Sequence, residues 1–369
     1  METIGTLARF TLALLIVGPL AGTALTAHAD DSDLLSRGER VFQANCASCH
    51  GSAGKPDPKS ALVQALGVVP ADFSDALFNS RESTSEWTTV VTYGGVSLGF
   101  SDKMPAFGDA LSAADIEAVL EYVKTLGGEH GYPDGSLNLF LPIRTKKAFP
   151  EDEWVWKQRY TGQDGDNAWK NTLEYEFRVG ERFQGVLEVT HEVEGSESEF
   201  GHFEPGFKYV LKHDRRKAYI FTLGAQVGVP LNSGAEWELL PYLAYGKILN
   251  DQWTFQGSGR LKLSLEDSDH SSAEFAGIVH WVHTDWPRRV FPALEMIAEV
   301  PFERGTGPGR KDAVQFSALP QVRIGLNKRG HVALNAGVEV PLNDRDRYDW
   351  RAYLYLIWDF ADGGFFEGW

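Results

Sequence analysis

The pattern of hydrophobic and polar residues changes once along the chain, near residue 127. Before that point apolar residues recur every three or four positions, as they do in helices. A helix is predicted for residues 33–44, and another begins at Ser112, which can cap it with Asp115 as its capping-box partner. We expect Val41 and Phe42 of the first helix to pack against the second. The second helix presents one apolar face, formed by Ile116, Val119, Leu120 and Val123.

From about residue 150 onward the hydrophobic period is two, the period of a β-strand. Odd positions are apolar and even positions polar in residues 172–179, and residues 253–266 and 332–340 alternate similarly. About twelve such segments are predicted, starting near residues 152, 170, 182, 202, 217, 236, 252, 273, 290, 314, 330 and 348. The fold class is therefore an all-α N-terminal domain followed by an antiparallel β domain of about 12 strands.

Alternation alone leaves open which face of the β domain points inward. A soluble barrel or sandwich buries its apolar face, whereas a membrane barrel exposes that face to lipid. Longer polar connections after the odd strands and tighter turns after the even ones favour a transmembrane outer-membrane barrel with both termini in the periplasm. Ten of the eleven tryptophans lie at or after Trp154, and Trp369 resembles the terminal aromatic signal of such barrels. Leu334 and Val338 would then face lipid, and Asn335 a wet lumen.

The segment Cys46-Ala47-Ser48-Cys49-His50 carries the clearest chemistry in the chain. Two thiols three positions apart can add to the two vinyl groups of a porphyrin, and the adjacent imidazole can bind the iron. These are the only two cysteines in 369 residues, so neither a disulfide framework nor a four-cysteine zinc site is available. The alternative is a thioredoxin-like redox pair, but that motif needs a βαβ context. We therefore predict one covalently attached haem c, held by Cys46, Cys49 and His50.

Met104 is predicted to be the second axial ligand of the haem iron. It is the only methionine between the haem motif and the end of the helical domain, and no histidine occurs between His50 and His130. A thioether opposite an imidazole raises the reduction potential, which suits electron transfer. An iron bound by both His50 and Met104 has no open position for catalysis, so we expect an electron carrier rather than an enzyme. The alternative role for Met104 is core packing.

Residues 33–127 resemble a class I c-type cytochrome. The resemblance rests on the haem motif, on Pro70-Ala71-Asp72-Phe73, and on Met104-Pro105-Ala106-Phe107 before a C-terminal helix. It implies a small all-helical fold with an exposed haem edge for outer-sphere electron transfer. It also implies that a proline carbonyl after the motif, here that of Pro58, accepts a hydrogen bond from the proximal imidazole. Trp87 would contact a haem propionate or fill the core.

An export signal is predicted at the N-terminus. Residues 10–25 are largely apolar, Arg9 precedes them, and Ala27-His28-Ala29 follows as a cleavage pattern. We expect a signal peptide over residues 1–29, with an uncleaved membrane anchor as the alternative. A cytochrome domain over 30–128, a linker over 129–150 and the barrel over 151–369 complete the predicted organisation. The formal net charge of -16 argues against nucleic acid as a partner.

The combination resembles the cytochrome-porin fusions of bacteria that oxidise extracellular iron. A barrel of about twelve strands encloses far less space than the roughly 16- to 18-stranded porins, so a domain of ~95 residues should not fit inside. We therefore expect a monohaem electron-transfer protein at the periplasmic face of the outer membrane, anchored in lipid by its own barrel. Its expected partners are periplasmic redox proteins or an electron donor or acceptor at the outer membrane. The alternatives are a pore or transport protein with an accessory haem domain, extracellular iron oxidation, and an enzyme whose electrons pass to the haem.

Overall fold

The computed structural model describes residues 27–163, 166–302, 314–343 and 347–360. The predicted signal peptide up to residue 26 and the terminal Trp369 lie outside these ranges. The helices of the N-terminal domain are α1 (Ala27–Asn45), α2 (Ala47–His50), α3 (Ala61–Leu66), α4 (Ala76–Arg81), α5 (Thr84–Tyr93) and α6 (Ala113–Thr125). No helix in the described ranges combines the length and the apolarity needed to cross a membrane.

The two helices predicted from the 3.6-residue period are confirmed as α1 and α6. Ser112 Oγ accepts a hydrogen bond from the Asp115 N–H at 3.2 Å, and the Asp115 carboxylate accepts one from the Ser112 N–H at 3.2 Å. Phe42 of α1 is fully buried, and its ring centroid lies 5.5 Å from that of Tyr122 on α6. The predicted packing of α1 against α6 is therefore confirmed. The same core contains Trp87, Ile116, Val119, Leu120 and Val123.

The C-terminal domain is a closed antiparallel barrel of 12 strands, as predicted. β1 closes the barrel against β12, with Glu153 opposite Asp359 and Gly162 opposite Trp350. We call the end where β1 begins the proximal rim and the opposite end the distal rim. The strands are β1 (Glu153–Gln163), β2 (Asp166–Arg178), β3 (Phe183–Glu194), β4 (Glu197–Asp214), β5 (Tyr219–Pro230), β6 (Glu238–Asn250), β7 (Trp253–Ser264), β8 (Ser272–Trp281), β9 (Val290–Pro301), β10 (Gln315–Gly325), β11 (Val332–Pro341) and β12 (Trp350–Asp359).

The outward face of the barrel is apolar and the inward face is polar, as the period-two pattern predicts. Leu173 and Val338 are exposed on the outside, whereas Glu174, the residue after Leu173 on β2, is buried inside. Asn335 also points inward, but the expectation of a wet lumen around it is wrong. It is 1% exposed, and its side-chain amide donates to the Leu141 carbonyl oxygen at 2.6 Å. Protein rather than water fills the lumen at this level.

The predicted contrast between long and short connections holds only in part. At the distal rim, β3 ends at Glu194 and β4 begins at Glu197, so a predicted long loop is a tight turn. At the proximal rim, β8 ends at Trp281 and β9 begins at Val290, so a predicted turn is longer. The strands extend into the polar segments that were predicted to be loops, because backbone hydrogen bonds between strands do not require apolar side chains. Glu192 of β3 and Glu199 of β4, for example, pair with each other. Connection length therefore does not by itself orient the barrel.

The chain between the two domains enters the barrel, where the sequence predicts only a linker. Leu137 and Phe149 share a buried cluster with lumen residues of β4, β5 and β6. Ile143 lies between them in the sequence and packs in a second cluster, with residues of β1 and of β8 to β12. The segment therefore runs from the proximal rim toward the middle of the lumen and returns to the rim before β1. We call residues 137–150 the plug segment.

Lumen side chains satisfy the backbone of the plug segment, which has no ladder of its own. Glu295 accepts hydrogen bonds from the Arg144 N–H at 3.2 Å and from the Thr145 hydroxyl at 2.6 Å. The polar inward face of the barrel therefore binds another part of the same chain. Three further side chains donate to plug carbonyl oxygens at 2.7 to 2.9 Å, namely Gln256 to Phe140, Thr222 to Ala148 and Tyr355 to Ile143.

Candidate functional site

The two cysteines and His50 are brought together by the short helix α2, which follows α1 directly. The Cys46 N–H donates to the Phe42 carbonyl at 2.8 Å, and the His50 N–H donates to the Cys46 carbonyl at 3.0 Å. Both thiols are free and half-buried. Burial, with a smaller contribution from Cys49, raises the pKa of the Cys46 thiol to about 11. The thiol is therefore neutral at pH 7, the form that suits an apolar site.

The His50 ring is fixed from one side by the segment after Pro70. Its Nδ1 lies 3.0 Å from the Ala71 carbonyl oxygen, and its ring stacks on Phe73 with 4.6 Å between centroids. A hydrogen bond from Nδ1 leaves Nε2 as the nitrogen that can bind a metal. Burial lowers the pKa of His50, so the imidazole is held in the neutral, ligating form.

The expectation that the Pro58 carbonyl orients the imidazole is wrong. The Phe73 N–H donates to the Gly54 carbonyl at 2.7 Å, and this bond lays the chain from Pro70 to Phe73 beside the haem motif. Ala71 consequently supplies the acceptor for His50. Pro58 lies in the connection that leads to α3 instead.

Met104 lies on a loop that folds back over the 3-10 helix of residues 95–98. The Gly95 N–H donates to the Met104 carbonyl at 3.0 Å. A Cβ atom at Gly95 would lie 2.4 Å from the Ser101 carbonyl oxygen, so this approach requires glycine. Val96 and Phe100 are exposed on the same loop. Two thiols and an oriented imidazole on the Cys46–His50 segment are the groups that would link haem c and bind its iron.

Trp87 fills the core of the helical domain. Its ring lies 5.5 Å from that of Phe73 between centroids, and the Lys124 ammonium lies 4.2 Å from its ring centroid. Lys124 is a buried cation that the sequence does not reveal, because it falls among the polar positions of α6 and so resembles a solvent-exposed residue. It donates to the carbonyl oxygens of Asn79 at 2.9 Å and Glu82 at 2.6 Å, and burial lowers its pKa.

Comparisons with known proteins match the helical domain. A family model described as cytochrome c oxidase, cbb3-type, subunit III matches residues 33–123. The chain is 41% identical over 86 residues to cytochrome c6 of Microcystis aeruginosa, which corresponds to 23% of this chain and 89% of that protein. Through these residues the chain belongs to the cytochrome c family. The helical domain is accordingly called the cytochrome domain below.

The longer relatives match over a smaller part of their length. The cbb3-type cytochrome c oxidase subunit FixP of Azorhizobium caulinodans is 36% identical over 98 residues, which cover 27% of this chain and 29% of that protein. The chain thus spans less than a third of that relative. Among solved structures, an outer membrane channel from Pseudomonas putida F1 is similar with a TM-score of 0.44 and 12% identity, covering 60% of this chain and 100% of that chain.

The Met104 side of the cytochrome domain faces the proximal rim of the barrel. Tyr93, at the end of α5, lies 5.4 Å from Trp286 between ring centroids. The Arg329 guanidinium lies 4.3 Å from the ring centroid of Phe100. Trp286 follows β8 and Arg329 follows β10, so both belong to proximal connections. Sequence periodicity carries no signal for these contacts, because they join residues far apart in the chain.

Ion pairs hold the cytochrome domain to the same rim. Arg215, after β4, binds the Glu121 carboxylate of α6 at 2.6 Å and 2.5 Å through its two terminal nitrogens. Arg81 of α4 lies 2.9 Å from the carboxylate of Asp152, next to β1. These paired guanidiniums and the aromatic contacts place the cytochrome domain outside the barrel, as its size predicts.

Arg144, on the plug segment, is the centre of a buried charge cluster in the lumen. Its side chain is 12% exposed and forms ion pairs with Glu274 and, at 2.9 Å, with Glu339. The Tyr353 hydroxyl lies 3.3 Å from the same guanidinium. The partners come from β8, β11 and β12, which are far from Arg144 in the chain. It fixes the plug segment to three strands at once.

Proposed function

We propose that this chain is a monohaem c-type cytochrome that transfers electrons at the periplasmic face of the outer membrane. The observation that carries the proposal is the grouping of two free thiols and an oriented, neutral imidazole on α2. Cys46 and Cys49 would form the thioether links to the haem, and His50 and Met104 would bind its iron. When bound, haem c supplies a one-electron redox centre. The chain's own residues orient the imidazole, keep it neutral and shield one side of the site.

The barrel anchors the cytochrome domain in the membrane. Outward apolar side chains surround a closed ladder with no free edge, the arrangement that lipid requires of a spanning β-structure. Aromatic residues such as Trp253, Trp281 and Trp350 lie at strand ends on the outside, where an interfacial girdle is expected. The cytochrome domain contacts the proximal rim, so in this proposal the proximal rim lies on the periplasmic side. Periplasmic redox proteins are the proposed partners.

A pore function is the second candidate, and the plug segment bears on it directly. A closed barrel with a polar inward face is the architecture of a channel. However, residues 137–150 occupy the lumen and take up many of its polar groups. We therefore expect the resting protein to conduct poorly in planar bilayers. A large, steady conductance from the intact chain would favour the pore over the anchored electron carrier.

Localisation, cofactor and orientation can be tested on one preparation. The full chain should stay with the outer membrane through salt and carbonate washes, and it should stain for haem on a denaturing gel. Protease added to intact cells should spare the cytochrome domain, and protease added after the outer membrane is permeabilised should release it. The Cys46→Ser and Cys49→Ser double variant is the matched control for haem stain. A haem-free wild-type chain, or cleavage of the domain in intact cells, would contradict the proposal.

A further inference from the structure

A cavity lies in the barrel lumen beside the plug segment and extends toward the distal rim; we call it the distal cavity. Its volume is about 330 Å³, and its lining reaches Lys262 and Ser272 near the distal ends of β7 and β8. Ten basic and seven acidic side chains line it. The whole chain has a net charge of -16, whereas the lining of this cavity carries more basic than acidic side chains. It lies inside the barrel, away from the cytochrome domain.

Most of the cations in this cavity are matched by a carboxylate. Arg159 has no carboxylate within 4.0 Å in the described part of the chain, and neither has Lys146. Lys146 donates instead to the neutral Gln226 side chain at 2.9 Å. Arg351 reaches Glu339 only at 4.0 Å. The matched pairs, at 2.7 to 2.9 Å, are Lys157 with Glu174, Lys170 with Glu192, Arg260 with Glu274 and Lys262 with Glu238.

Arg159 and Arg351 are close together on one wall. Tyr353 pairs with Arg159 across the β1 and β12 seam, and Arg351 lies two residues earlier on β12. Such diagonal neighbours are about 7–8 Å apart along the backbone, within reach of long side chains. The Nε atoms of both arginines are buried and donate to no partner within the described ranges. Two cations with unused donors therefore face the same space.

The neighbouring acidic group cannot serve both arginines. Glu339 already accepts hydrogen bonds from Ser317 at 2.7 Å and Tyr348 at 2.7 Å, besides its ion pair with Arg144. The Arg351 guanidinium is held in place by the Tyr348 ring, 3.7 Å from its centroid. Both guanidiniums are partly buried, with fully buried Nε atoms, and a cation in such a place without a close counter-charge is unfavourable. An anion from outside the chain would supply that charge.

We propose that the distal cavity binds a small organic acid. Arg159 and Arg351 bind its carboxylate, and Lys146 is a further cation in the lining. A guanidinium presents parallel N–H donors that match a carboxylate. Leu240 and Tyr242 add apolar surface to the lining, which suits an organic anion better than an inorganic one. This site is independent of the proposed electron transfer, because it shares no residue with the haem motif.

Calorimetric titration of the full haem-containing chain in detergent tests the site. Succinate is the probe, succinamide its neutral analogue, and inorganic phosphate a second anion. We expect saturable binding of succinate and none of succinamide. Arg159→Gln and Arg351→Gln should each weaken succinate binding at least about tenfold, the usual effect of losing a hydrogen bond to a charged group.

Arg323→Gln is the matched control, because Arg323 is a lumen cation that does not line this cavity. It should bind succinate as the wild type does. Heat-modifiable migration on a gel and an unchanged haem spectrum would show that each variant is folded. The proposal is overturned by an absence of saturable succinate binding, by equal binding of phosphate, or by equal loss in all three variants. Binding that survives both arginine substitutions would also overturn it.

Discussion

Replacing Arg144 with methionine should release the plug segment from the lumen while leaving the barrel closed. The substitution keeps most of the side-chain length and removes the guanidinium. It breaks the ion pairs with Glu274 and Glu339 and the contact with the Tyr353 hydroxyl. The ladder hydrogen bonds between strands involve none of these groups. The loss therefore falls on the docking of the plug segment rather than on the barrel.

The free-energy cost of Arg144→Met depends on the contacts that Glu274 and Glu339 retain after the guanidinium is removed. Removing one partner of a buried pair costs about 3–5 kcal/mol. Glu274 retains Arg260 at 2.9 Å, and Glu339 retains the hydroxyls of Ser317 and Tyr348. The cost should thus lie at the lower end, about 3 kcal/mol, which is roughly a hundredfold in the ratio of released to docked plug.

Hydrogen exchange read by mass spectrometry measures that ratio. Peptides from residues 139–148 should exchange about a hundredfold faster in Arg144→Met, and strand peptides should be unchanged. Lys157→Met is the matched control, because it removes a buried lumen cation paired at 2.7 Å with Glu174 rather than with the plug. Unchanged exchange of the plug peptides in Arg144→Met, or equal acceleration in Lys157→Met, would show that Arg144 does not hold the plug segment in the lumen.

Four further predictions concern the haem ligands and the barrel wall. Cys46→Ser and Cys49→Ser should each leave the haem singly linked or unattached, which haem stain and mass spectrometry would detect; full double linkage in either would contradict the assignment. Met104→Ala should abolish the near-infrared band of a methionine-bound ferric haem and lower the reduction potential, whereas an unchanged spectrum would place the ligand elsewhere. Val338→Arg, at an outward position that is 45% exposed, should cost about 2–4 kcal/mol and impair membrane assembly. Asn335→Arg should also destabilise the protein, because Asn335 is buried against the plug; normal heat-modifiable migration of that variant would show that the lumen can accommodate it.

The elements themselves could be predicted from sequence because each depends on local periodicity. The twelve strands and the α6 capping box follow from side chains within a few positions of each other. Even the facing of Val338 and Glu174 follows from their parity along a strand. These features need no knowledge of the tertiary arrangement, so a single sequence is enough.

The plug segment could not be predicted for the opposite reason. Its residues show neither a period of two nor one of 3.6, so they resemble a linker. Arg144 meets Glu274 and Glu339, which are more than a hundred positions away in the chain and lie on β8 and β11. The acceptor for His50 was predicted at the wrong residue for a similar reason, because the bond from Phe73 to Gly54 decides which carbonyl lies beside the ring.

The plug segment enters and leaves the lumen through the same rim, and this has a mechanical consequence. One end is tied to the cytochrome domain and the other to the first residue of β1. A chain cannot stretch beyond ~3.3–3.6 Å per residue, so the slack between the two ties is limited. Any partner that lifts the cytochrome domain far from the rim must therefore draw the plug out with it. The position of the cytochrome domain and the occupancy of the lumen by the plug segment are therefore mechanically coupled.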